Sequence, residues 1–155
     1  MLDSDLIEVS FQLNGKPVSV GIAPSELLID VLRDRLDLKG TKRSCDVEVC
    51  GACTVLADGL PVSSCTTLAV DVEGRSVLTI EGVAIGGELS RVQKAFVAHG
   101  ALQCGFCTPG MVLATTALFE LNPSPSEADI RHFLRGNICR CTGYIKILEA
   151  VRSLA

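Results

Sequence analysis

Eight cysteines divide the chain into two sets of four: Cys45, Cys50, Cys53 and Cys65, then Cys104, Cys107, Cys139 and Cys141. Few folds bring four thiols together twice, so this grouping constrains the architecture more than any other feature. The first set reads Cys-x4-Cys-x2-Cys with a fourth cysteine after eleven intervening residues, the plant-type spacing for a 2Fe-2S cluster. The second reads Cys-x2-Cys and then Cys-x-Cys, so it is not a copy of the first. Two complete four-thiolate sites in one chain are most simply an electron relay.

Rival chemistries fit less well. Structural zinc also uses four cysteines, but as two short pairs of similar spacing, whereas Cys45, Cys50 and Cys53 come from a single loop. Eight cysteines without a secretory leader fit a reducing compartment, where disulfides rarely persist. A Rieske site needs two histidine ligands, and His99 and His132 are isolated in the sequence, placing them on the surface or in packing. A binding or regulatory module with structural or redox-sensing metal is the rival of a different class. Iron, labile sulfide and zinc content separate the two.

The chain has 155 residues, 48% of them hydrophobic, enough for one domain or two small ones, and the cysteine grouping favours two. Its formal charge of -4 becomes more negative with clusters, each oxidised cluster and its thiolates carrying about -2. Nucleic acid is therefore excluded as a partner, since phosphate binding needs clustered positive charge. Asp3, Asp5 and Glu8 stand where a secretory leader would be basic and then apolar, which points to the cytoplasm. Residues 95–119 lack Asp, Glu, Lys and Arg, but glycines, Pro109 and cysteines interrupt them, so they read as buried protein around a metal site and not as a membrane span. A mean hydropathy of +0.40 then implies apolar surface that a partner covers.

The order of elements predicts an α+β fold. Ile7 to Leu13 and Lys16 to Ile22 alternate as strands around an Asn14-Gly15 turn. Pro24 and Ser25 open a helix whose apolar face is Leu27, Leu28, Val31 and Leu32, and a cysteine loop follows from Gly40 to Cys53. Thr54 to Ala57 and Leu60 to Ser63 make a second hairpin around Asp58-Gly59, delivering Cys65 back to the loop, and Val77 to Ile80 is a last strand. Helical spacing covers Leu89 to Ala101, Gly110 to Leu121, Glu127 to Leu134 and Tyr144 to Leu154. The expected division is residues 1–82 as a first 2Fe-2S domain and 83–155 as a helical second one.

Gly51 and Ala52 leave the backbone free to curl around a metal between Cys50 and Cys53. Thr108 as N-cap and Pro109 at the first helical position put Cys107 at a helix N-terminus, and Thr142-Gly143 would do the same after Cys141. Unsatisfied amides and the positive helix end favour a thiolate there. Arg140, between two ligands, is equally a charge that stabilises a reduced cluster and a solvated one. Lys146 and Arg152 read as a solvated face, and Leu102, Phe106 and Met111 as core or subunit contact.

Three runs, CGACTV at 50–55, QCGFCTPGM at 103–111 and RGNICRCTGY at 135–144, make the chain resemble the small iron-sulfur subunit of the molybdenum hydroxylases. That is the xanthine oxidase family, which also includes carbon monoxide dehydrogenase, aldehyde oxidoreductases and N-heterocycle hydroxylases. The resemblance implies a plant-ferredoxin-like β-grasp domain with an outer cluster on Cys45, Cys50, Cys53 and Cys65, followed by a four-helix bundle with an inner cluster on Cys104, Cys107, Cys139 and Cys141. It further implies a large partner subunit holding molybdopterin, as the cytosine dinucleotide, and a medium subunit holding FAD, assembled as a dimer of heterotrimers. Electrons from substrate oxidation would pass from molybdenum through the inner and outer clusters to flavin, with no catalytic residue or substrate pocket in this chain. Gln103 matches the glutamine that hydrogen-bonds the molybdenum cofactor. The substrate, whether carbon monoxide, an aldehyde or an N-heteroaromatic, stays open. Ser44 and Glu48 stand where the family commonly has glycine, so a carboxylate near the outer site would lower its potential while Lys42 and Arg43 oppose it.

Overall fold

The computed structural model describes residues 6–155, so Met1 to Asp5 of the leader reading lie outside the described residues. Strands β1 (Ile7–Leu13) and β2 (Lys16–Ile22) pair antiparallel from Ile7↔Ile22 to Leu13↔Lys16, with Asn14 and Gly15 both at positive φ as a two-residue hairpin turn requires. The second hairpin, β3 (Thr54–Ala57) and β4 (Leu60–Ser63), turns in the same way at Asp58-Gly59. β5 (Ser76–Leu78) lies between them, parallel to β1 and antiparallel to β3, giving the order β2-β1-β5-β3-β4. It stops at Leu78, short of the expected Ile80, because residues Ile80–Gly82 turn into a 3-10 helix.

Helix α1 (Leu28–Asp30) begins later than Pro24-Ser25 suggests and widens into a π-helical turn over Val31–Arg35. The delay has a cause: Leu28 and Ile29 donate their N-H groups to the carbonyls of Thr67 and Ser64 at 2.8 and 3.0 Å. A helix start that would otherwise leave free amides is thereby tied to the strand-end segment around Cys65. Four further helices complete the chain: α2 (Arg91–Ala98), α3 (Thr108–Leu121), α4 (Glu127–Leu134) and α5 (Ile145–Arg152). The α+β architecture is thus a five-stranded sheet followed by a four-helix region.

β3 joins the two halves. All four of its residues are buried, and successive side chains point to opposite faces. Val55 packs with Val9, Phe11, Leu28, Leu32 and Val77 under α1, while Leu56 packs with Met111, Val112, Ile130 and Ile147 of the helices. α3 is apolar nearly all round because it is the central helix, which accounts for residues 108–119 of the charge-free stretch; the part before it is not buried throughout, since Val97, Leu102, Gln103 and Phe106 are exposed. Among the described residues no helix is long and apolar enough to cross a membrane.

Candidate metal centres

All eight cysteines are free thiols, and the fold gathers them in pairs. Cys45 lies with Cys50, and Cys53 with Cys65. In the second half Cys107 faces Cys139, and the sulfurs of Cys104 and Cys141 are 3.6 Å apart. Two thiols beside two thiols fits a two-iron cluster, in which each iron takes two of the four cysteines, better than a single tetrahedral zinc.

The loop at 45–51 is built to hold an anion. Asp46, Glu48 and Gly51 have φ of 55, 58 and 66°, and these left-handed turns in a short loop bring its N-H groups inward. Backbone N-H groups of Val47, Cys50 and Val49 reach Cys45 and bring its thiol down to about 6. Glu48 therefore adopts the backbone that glycine would; its carboxylate accepts the Thr66 hydroxyl at 3.3 Å. Of the two cations, Arg43 pairs with Asp30 at 2.7 Å and reaches Asp46 of the loop at 3.7 Å, and Lys42 donates to the Lys39 carbonyl at 2.6 Å. At the closed end Cys53 and Cys65 sit in apolar packing with Ile29, and burial beside Cys65 pushes the Cys53 thiol up to about 11. Ser64 donates its hydroxyl to the Cys53 carbonyl at 2.7 Å, fixing one member of the pair against the residue before the other.

In the second set Cys107 flanks the start of α3, and burial, followed by the Cys139 thiol beside it, pushes Cys107 up to about 12. The expected cap is corrected: α3 starts at Thr108 itself, with Pro109 in its first turn, and the Thr108 hydroxyl is buried without a partner among the described residues. The second cap is corrected too. α5 starts at Ile145, and Thr142 instead donates its hydroxyl to the Cys139 sulfur at 3.1 Å. Burial opposes ionisation of Cys139, but this hydroxyl and the neighbouring amides outweigh it and lower the thiol. Cys141 is raised by the adjacent Cys104 thiol. A cavity of about 280 Å³ lies between the two sets, with Cys50 and Ala52 on one side and Cys104, Cys107, Cys139 and Cys141 on the other. Cys50 and the residue before Cys139 are linked directly, since Ile138 donates its N-H to the Cys50 carbonyl at 2.9 Å.

Residues 11–79 match the model of a 2Fe-2S iron-sulfur cluster binding domain, and residues 79–152 that of a 2Fe-2S binding domain. The nicotine 6-hydroxylase small subunit of Paenarthrobacter nicotinovorans is 48% identical over 148 residues, 96% of this chain and 89% of that protein. The xanthine dehydrogenase iron-sulfur-binding subunit of Escherichia coli O157:H7 is 44% identical over 97% of this chain and 96% of its own length. The structure of quinoline 2-oxidoreductase from Pseudomonas putida 86 superposes with a TM-score of 0.91 at 47% identity, covering 96% of this chain and 92% of the matched one.

The chain belongs to the small 2Fe-2S subunits of the molybdenum hydroxylases. It is therefore an iron-sulfur electron-transfer subunit of a multi-subunit molybdenum oxidoreductase. The aldehyde oxidoreductase of Desulfovibrio gigas shares its fold over 94% of this chain but only 16% of that longer one, at a TM-score of 0.90 and 40% identity. In this iron-sulfur subunit Gln103 is exposed next to Cys104, as are Leu102 and Phe106, while Met111 is core. Arg140 is exposed and pairs with no carboxylate among the described residues. Lys146 and Arg152 form surface pairs with Glu149 and Glu127.

Two residues at these centres were not singled out by the sequence. Tyr144, at φ 67°, accepts the Cys139 N-H on its hydroxyl at 3.0 Å. Asn137 donates its Nδ2 to the Gly51 carbonyl at 3.0 Å across the junction. Both stand inside the run 135–144, but their roles depend on partners that spacing does not reveal.

Proposed function

We propose that this subunit relays electrons from the molybdopterin centre of a large subunit, carried as the cytosine dinucleotide, to FAD in a medium subunit, within a dimer of heterotrimers in the cytoplasm. Residues 1–82 form the outer domain, with Cys45, Cys50, Cys53 and Cys65 as ligands, and residues 83–155 the inner one, with Cys104, Cys107, Cys139 and Cys141. Gln103, exposed beside Cys104, contacts the molybdenum cofactor. When bound, each cluster supplies storage and release of one electron. The chain's own residues hold four thiols per site, aim N-H groups at sulfur and keep the Cys53–Cys65 pair out of water.

The observation that carries this reading is the pairing of both cysteine sets across one junction, where the Cys50 carbonyl meets the Ile138 N-H. Relatives named for nicotine, xanthine and aldehyde chemistry frame the substrate as an N-heterocycle, a purine or an aldehyde, oxidised in the partner subunit. Iron and labile sulfide in the purified enzyme are expected at two of each per domain, with two distinct reduced EPR signals. Cys50→Ser removes one signal and leaves the other. Stoichiometric zinc without colour, or loss of both signals in that variant, sinks the relay with independent sites.

A further inference from the structure

We infer that Asn137 is a positioning residue for the first cysteine set, acting from the far side of the junction on the Gly51–Ala52 peptide between Cys50 and Cys53. This rests on the reading of Cys45, Cys50, Cys53 and Cys65 as cluster ligands. Asn137 is buried, 7% exposed, and its Nδ2 donates to the Gly51 carbonyl at 3.0 Å and to the Thr54 hydroxyl at 3.3 Å. The reversed amide would set oxygen against a carbonyl oxygen, so the donor orientation is the one that fits. Thr54 adds its own hydroxyl and N-H to the same carbonyl at 2.8 and 3.2 Å. Next along the chain, Ile138 donates its N-H to the Cys50 carbonyl at 2.9 Å.

Two consecutive carbonyls of the cysteine loop are therefore held toward the helical half. The packing leaves no slack: a Cβ on Gly51 would overlap the Gly136 carbonyl and the Asn137 side chain, and one on Gly110 would overlap the Gly51 carbonyl. Because each peptide is planar, fixing a carbonyl also fixes the N-H on its other end. The N-H groups so fixed are those of Gly51 and Ala52, between Cys50 and Cys53, and they close the loop whose Val47, Val49 and Cys50 N-H groups point at Cys45. Hydrogen bonds to cluster sulfurs raise the reduction potential, so a residue that anchors this loop tunes the outer site without touching it.

The test uses the assembled, cluster-loaded enzyme. Cys50→Ser first identifies the outer signal; if it leaves both signals in place, the assignment of the first set fails and this inference with it. With the outer signal identified, Asn137→Leu removes the donor without adding charge. The expected result is a downward shift in the outer midpoint potential and altered outer g-values, with the inner signal unchanged even though Asn137 is the closer in sequence to Cys139. An unchanged outer signal, or an equal shift in both, overturns the proposal and leaves Asn137 as packing alone. Should Asn137→Leu not accumulate as folded enzyme, Thr54→Val removes one donor from the same carbonyl and should shift the outer potential in the same direction by less. No outer shift in that variant also overturns it.

Discussion

Asp46, Glu48 and Tyr144 hold left-handed backbone at φ 55, 58 and 67°, and all three lie within five residues of a cysteine. Each such position costs a residue with a side chain about 1–2 kcal/mol, and such costs persist where surrounding structure over-determines the backbone. At Glu48 the return is inward-turned amides; at Tyr144 it is a hydroxyl on the Cys139 N-H. Glu48→Gly relieves the strain but adds chain entropy to the unfolded state, so stability should change by less than about 1 kcal/mol. Removing the carboxylate should raise the outer midpoint potential in a redox titration, since among the described residues Glu48 forms no ion pair and its carboxylate accepts the neutral Thr66 hydroxyl. An unchanged potential removes the electrostatic role. The sequence marked Glu48 as a departure from glycine, but Tyr144 and Asp46 gave no signal, because neither stands in a local turn motif such as Asn14-Gly15 or Asp58-Gly59 and their positive φ follows from the tertiary frame.

At the scale of elements, local chemistry placed most boundaries. α2 and α4 both open on capping boxes, Ser90 with Gln93 and Ser126 with Asp129, each side chain bonding the other's backbone N-H. Ser90→Ala should cost about 1 kcal/mol, read as a lower denaturant midpoint with both EPR signals intact. The element the sequence placed least well is α1, whose start is decided by carbonyls of the segment beside Cys65. Its end is braced by Arg35, which binds Glu26 through Nε and Nη2 at 2.6 and 2.8 Å and holds that carboxyl below its usual range. A depressed carboxylate stabilises the fold above its unfolded pKa, about 4.3, and the stabilisation fades as pH falls through the lower folded value. Glu26→Gln should therefore be less stable than wild type at neutral pH, with the gap between their urea midpoints closing as the buffer is taken below the unfolded value. A gap independent of pH means that the ion pair contributes nothing.

At the scale of the whole molecule, β3 decides how two cysteine sites become one structure. Leu56 is 1% exposed in the helical core while its neighbour Val55 is buried in the sheet core. Leu56→Ala should cost about 2–5 kcal/mol and lower the thermal midpoint of the chain as a unit, because both cores share the strand. Two separated transitions, with only the helical one shifted, would show that the halves unfold independently. The sequence by itself determined the eight thiols, their grouping, the two hairpins, the four helices after the sheet and the family. Those depend on residue identity and short spacing, which local backbone chemistry reads directly. Only the tertiary structure decided which thiol faces which, that Thr108 and Thr142 do not cap, that Glu48 takes a glycine's backbone, and that Asn137 reaches Gly51 across 86 residues. Each of these depends on contacts between segments distant in sequence, and hydrogen bonds of that kind leave no period and no spacing for the sequence to display.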